Sequence, residues 1–195
     1  MSLFRAVPAS HPATNGQPQR ARHTVRLPKN VPYFVDNLWE HLRPDTMPCR
    51  RHAVYASPTP GLARQNISSV SSCDEAAVYE VAIDGDCKIA QLRIEDARRH
   101  VDIAVVQKIL QDTISNLLGG TIQERQAASP LFMPGCSKAD WAHAVQASQW
   151  AAGFSAAASL RSTFWDDAVT DPINASGELF YELGEDVSYW LVGPV

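Results

Sequence analysis

An α+β fold follows from the order of hydrophobic patterns along the chain. Alternating runs occur at Ala76–Ile83, at Glu178–Leu183 and at Val187–Val192. Between them, Val105, Val106, Ile109, Leu110, Ile114, Leu117 and Leu118 recur at spacings of three and four, which predicts an amphipathic helix.

The elements follow in order. Residues 1–30 hold Pro8, Pro12, Pro18 and Pro28 among glutamines and serines, with little to bury, and read as a disordered basic arm. A single globular domain is expected over 31–195. Val31–Glu40 reads as a short strand entering a helical turn, closed by Arg43-Pro44. Ala53–Ser57 is strand-like and Pro58-Thr59-Pro60 stops it. Gly61–Val70 reads as a short helix or loop. After Ala76–Ile83, Asp84-Gly85-Asp86 predicts a tight turn, with Lys88–Leu92 as the returning strand. The helix over Val101–Leu118 ends at Gly119-Gly120. Ser137-x-x-Asp140 resembles a capping box and opens a second helix, whose core face carries Trp141, Val145 and Ala152. It runs toward Trp165 with a break near Gly153. Beyond Asp171-Pro172, Glu178–Leu183 and Val187–Val192 read as a final hairpin around Gly184.

Composition narrows the function. Hydrophobic residues make up 45% of the 195 residues, enough for a core. No stretch is apolar enough to cross a bilayer as a helix, so no membrane partner is expected. Residues 1–35 carry Arg5, Arg20, Arg22, Arg26 and Lys29 and no acid, while the remainder carries 12 basic and 21 acidic side chains. Broad binding to a phosphate backbone needs clustered cations, which only the arm supplies. The arm lacks the continuous apolar core of a secretory signal peptide, so a cytoplasmic protein or one delivered into a host cell is expected. Cys49, Cys73, Cys87 and Cys136 form no C-x-x-C pair. His11, His23, His41, His52, His100 and His143 form no H-x-x-x-H pair, so no metal is expected. No glycine-rich phosphate loop is present.

The chemistry-bearing residues gather around two elements. Alternation puts Glu178, Phe180 and Glu182 on one face of their strand and Leu179, Tyr181 and Leu183 on the other. Glu178 then stands at the strand mouth, after the small segment Asn174–Gly177, which reads as mobile. Trp39 and Tyr55 read either as core residues or as stacking platforms. Arg50 and Arg51 read as a solvated pair, or Arg51 as a phosphate contact. Asp166-Asp167 reads as a helix end. Ser57 with His52 and an aspartate suggests a small hydrolase, but no nucleophile elbow accompanies it.

Glu178-Leu-Phe-Tyr-Glu-Leu-Gly184, followed by Val187–Val192, resembles the late strands of the ADP-ribosyltransferases, whose catalytic glutamate opens such a strand. Ala53-Val-Tyr-Ala-Ser57-Pro-Thr59 is similar to that family's earlier strand ending in a small hydroxyl residue, and Val78-Tyr-Glu-Val81 to its next core strand. Ser176 stands two before Glu178, so the E-x-E form is absent and a single-glutamate, toxin-like pattern is implied. The family's first strand carries an Arg or His that holds the dinucleotide. Aligning Tyr33–Asp36 there puts Phe34 at that place, with Arg26, His41, Arg51 and His52 as substitutes. The resemblance implies an ADP-ribosyltransferase-like mixed or antiparallel β core with helices around it. It implies NAD as substrate, a protein or nucleic-acid acceptor, and a bacterial effector, toxin or phage protein. It makes Glu178 and Ser57 catalytic and puts Arg51, His52, Tyr55 and Trp39 around NAD. The competing reading is a non-catalytic binding or assembly protein whose basic arm engages an acidic partner.

Overall fold

The computed structural model describes residues 2–8, 16–21, 24–28, 31–68, 76–171 and 176–195. The expectations for His11, His23, Cys73 and Asn174 lie outside these residues. The fold is mixed α+β, with two antiparallel sheets and, among the described residues, six α-helices. The chain gathers into two compact units. The first comprises 1–24, 45–96 and 168–195, and the second 25–44 and 97–167.

The first unit holds β1 (Leu3–Pro8), β2 (Gln19–Arg20), β3 (Val54–Ala56), α2 (Pro60–Ser68), β4 (Ala76–Asp84), β5 (Cys87–Leu92), β6 (Ala168–Val169), β7 (Leu179–Leu183) and β8 (Ser188–Val192). One sheet runs β1-β4-β8-β2 and the other β3-β7-β5-β6. Leu3–Pro8, placed in the disordered arm by composition, is a full strand, paired from Leu3↔Val81 to Pro8↔Ala76. Its reason is local: Leu3 and Val7 alternate into the core at 5% and 2% exposure. Averaging over thirty Pro- and Gln-containing residues hides this six-residue run.

Neither expected hairpin forms. β4 pairs with β8, from Glu80↔Val192 to Asp84↔Ser188, and β5 pairs with β7, from Cys87↔Leu183 to Gln91↔Leu179. The turns at Gly85 and Gly184 therefore carry an antiparallel ribbon around a corner from one sheet to the other. Gly85 has φ +114°, and a Cβ there would lie 2.9 Å from a Val187 methyl. Leu3, Val7, Tyr79, Val81, Leu179, Tyr181, Leu183, Tyr189 and Leu191 form one core cluster drawn from both sheets.

The second unit holds α1 (Tyr33–Leu42), α3 (Val101–Gly119), α4 (Ile122–Ala128), α5 (Lys138–Ala147) and α6 (Gln149–Ser159). Val31–Glu40 is helical from Tyr33 onward, because Val35, Leu38 and Trp39 share one face and are at most 1% exposed. This removes the first strand on which Phe34 was aligned. The helix stops at Arg43, whose ψ of 120° suits a residue before proline. The capping box of Ser137 and Asp140 forms in both directions. The expected break near Gly153 falls instead at Ser148, which ends α5 and caps α6 through Ala151 N–H. The core-facing partner of Trp141 is Ala144, with Val145 only half-buried.

Asp102, fully buried in the first turn of α3, organises this unit. Its carboxylate accepts from Trp39 Nε1 (2.9 Å), Ser162 Oγ (2.6 Å), Thr163 N (3.0 Å) and Phe164 N (3.3 Å). His100 caps the same helix by accepting from Asp102 N (3.1 Å) and meets Asp167 at 3.1 Å. Burial raises the energy of the Asp102 carboxylate, but its hydrogen bonds outweigh this and hold its pKa well below the usual range. Burial also opposes protonation of His100, as does the hydrogen bond that its Nδ1 accepts from Asp102 N–H, yet the Asp102 and Asp167 carboxylates together raise its pKa.

Asp102→Ala is expected to destabilise the protein by about 3–5 kcal/mol in urea unfolding, since buried donors lose their shared acceptor. A depressed carboxylate stabilises above its unfolded pKa, and a raised histidine stabilises below its own. The cluster's contribution should therefore be greatest between about pH 4 and pH 6.5. It should fade as acid protonates Asp102 and as rising pH deprotonates His100, and a urea midpoint measured against pH checks this. His100→Gln should flatten the upper limb. Gly153 lies inside α6 with open space where a Cβ would be, so Gly153→Ala should stabilise by about 0.5–1 kcal/mol.

Candidate functional site

The candidate site lies on the outward face of β7 in the first unit. Leu179, Tyr181 and Leu183 enter the core, which leaves Glu178, Phe180 and Glu182 on the other face, as alternation predicts. A turn at Cys49–Ala53 covers that face. Cys49 O accepts from His52 N (3.1 Å) and Ala53 N (2.9 Å), and Cys49 N donates to Glu182 Oε2 (2.9 Å). Arg50 then lies with Cζ 5.9 Å from the Phe180 ring centre, and its Nη2 is 3.9 Å from Glu178 Oε1. The Arg50 and Glu178 side chains are only 10% and 14% exposed, so their attraction is screened less than that of a surface pair.

Glu178 stands one residue before β7 and is anchored by its backbone. Its N–H donates to Ile94 O (2.7 Å) and its carbonyl accepts from Leu92 N (2.9 Å). Gly177, read from sequence as part of a mobile segment, is clamped: a Cβ there would fall 1.9 Å from Leu92 O. Its carbonyl also accepts from the fully buried Gln91 side chain (3.3 Å). Only glycine lets the chain pass this close to β5 and turn the next carboxylate outward.

Ser57 follows β3 directly and bridges to Phe4, with N–H···O bonds of 2.7 and 2.8 Å. Its Oγ accepts from Asn66 Nδ2 (3.2 Å). The β3–β7 register runs Val54↔Tyr181, Tyr55↔Phe180, Ala56↔Leu179, and one further step sets position 57 opposite position 178. Tyr55 packs its ring 5.8 Å from Phe180 and donates from its hydroxyl to Arg50 O (3.4 Å). Arg51, 5% exposed, and half-buried His52 belong to the covering turn. The solvated-pair reading of Arg50 and Arg51 is thus corrected: both are buried. Trp39 is a core residue of the second unit, 1% exposed, stacked 3.9 Å from Phe164 and bonded to Asp102.

Sequence reasoning missed Arg50 as a cation beside Glu178. The available signal was an Arg pair before a short strand, together with two glutamates four apart on one face of β7. It also missed His100 and Asp102, whose signal was His-x-Asp at the mouth of an amphipathic helix. In the second unit, Asn116, Glu124, Trp150, Gly153 and Phe154 line a separate surface cleft of about 520 Å³. There Glu124 Oε1 accepts from Ser148 Oγ (2.8 Å) and Trp150 N (2.9 Å). Among the described residues, no group of three or more His, Cys, Asp or Glu gathers where it could hold a metal ion.

Gly177→Ala should destabilise the protein by about 1–3 kcal/mol or more in urea unfolding, because the new methyl meets backbone that cannot yield cheaply. Comparison with protein-family models, with curated proteins and with solved structures finds no match for this chain.

Proposed function

We propose that the first unit binds NAD and cleaves its nicotinamide–ribose bond at Glu178, passing ADP-ribose to water or to an acceptor. In this reading its two sheets are an ADP-ribosyltransferase-like core. The supporting observation is a part-buried carboxylate, fixed one residue before β7 by Gly177 and facing the Arg50 guanidinium. When the C1′–N bond breaks, its electron pair leaves with nicotinamide and positive charge develops on the ribose ring. A held carboxylate that accepts the 2′-hydroxyl hydrogen bond stabilises that charge. Water or the acceptor then forms the new C1′–O bond and loses a proton. Arg50 aims Glu178, Ser57 borders the nicotinamide side, and Tyr55 supplies an aromatic edge. Arg51 and His52 of the covering turn take the phosphate side.

The Arg50–Glu178 contact also favours a second reading, in which the pair only fastens the covering turn to β7. The protein is then a non-catalytic binding module, with exposed Arg20 of the basic arm facing an acidic partner.

Nicotinamide release from NAD separates the two. The intact chain should release nicotinamide, and Glu178→Gln should lower kcat by about 100-fold or more with little change in thermal midpoint. An NAD-inert wild type, with Glu178→Gln lowering only stability, would establish the structural reading instead.

A further inference from the structure

On the inward face of the same strand lies a cluster that the NAD reading leaves unused. Arg5 falls between Leu3 and Val7 in the alternation of β1 and so turns toward the inter-sheet core. Its Nη1 donates to the Tyr189 hydroxyl (2.6 Å), with Cζ 5.9 Å from that ring's centre. Tyr189 meets Tyr181 edge-on at 5.9 Å. Tyr181 is fully buried, and its hydroxyl has no hydrogen-bond partner among the described residues. Burial pushes the Tyr181 phenol far up, so it stays protonated.

Three donors thus lie together: a guanidinium, a phenol that already accepts from it, and a second phenol with no partner among the described residues. Arg5 makes no ion pair with a carboxylate among the described residues. Arg5 is half-buried, so solvent screens part of its charge, but a fully buried hydroxyl without a partner is costly. A water molecule would satisfy the hydroxyl but leave the charge uncompensated. A small oxyanion satisfies both, because its oxygens only accept and its charge offsets Arg5.

We infer that Arg5, Tyr189 and Tyr181 form a binding site for a small oxyanion, a carboxylate or a phosphate-type group, between the two sheets. The site is independent of Glu178, which stands on the opposite face of β7.

The test is thermal unfolding of the full chain at constant ionic strength in chloride, phosphate, sulfate or acetate, with Kd taken from the dependence of the midpoint on concentration. The wild type should be stabilised over chloride by at least one oxyanion. Acetate alone would identify a carboxylate, and phosphate or sulfate a tetrahedral group. Tyr181→Phe keeps the packing and removes one donor, so binding should weaken about 10- to 100-fold. In chloride the same variant should be at least as stable as the wild type. The inference is overturned if no oxyanion stabilises the wild type beyond chloride. It is equally overturned if Tyr181→Phe binds as tightly as the wild type, or is less stable in chloride, which would mean that internal water already bonds the hydroxyl. Arg5→Met, if it folds, should lose the oxyanion effect altogether.

Discussion

The first unit depends on a change of partners at one corner. β4 and β5 are joined by a two-residue turn, and β7 and β8 by a four-residue one, yet each strand pairs across the chain rather than with its neighbour. The result is one antiparallel ribbon folded over Gly85 and Gly184, with Val187 packed on both glycines. Everything that positions the site follows. β7 has β3 and β5 on its two sides, its apolar residues enter the inter-sheet core, and its polar residues are left for the Cys49–Ala53 turn to cover. Glu178 is held because β7 is an interior strand, and Arg50 reaches it because β3 runs alongside.

Alternation made much of this legible. The inward set Leu179, Tyr181, Leu183 and the outward set Glu178, Phe180, Glu182 follow from period two alone, and Ser137-x-x-Asp140 announces its helix by a local bond. Pairing did not follow, because Asp84-Gly85 signals a change of direction and not the identity of the next neighbour. A positive φ serves a tight hairpin and a sheet corner equally well. The Ser148 break was hidden for a related reason. Serine caps a helix only when its own backbone is extended, as at Ser148 with φ −132° and ψ 120°, and that depends on packing. Trp39 shows the limit for aromatic residues: a buried indole with a hydrogen-bond partner and a ligand platform have the same sequence signature.

The two units handle buried polarity in opposite ways. In the second, Asp102 of α3 collects donors from two distant parts of the chain, α1 and the segment after α6, so a buried charge is answered within the protein. In the first, Arg5, Tyr189 and Tyr181 place donors together with few acceptors. A satisfied network specifies one packing arrangement, whereas an unsatisfied one stays open to something from outside. The outward face of β7 lies between these extremes, since Glu178 is both paired and close to solvent.

The strand formed by residues 3–8 lies against 76–81, and 80–84 against 188–192. The sheet at the heart of the first unit is thus assembled from segments far apart in sequence. Loop closure must be paid for before such contacts form, so folding should be limited by these distant pairings rather than by helix formation. During synthesis β4 emerges long before β8, and one edge of it stays open for about a hundred residues of elongation. Until the last strand arrives, that edge is where a nascent chain can pair with the wrong partner.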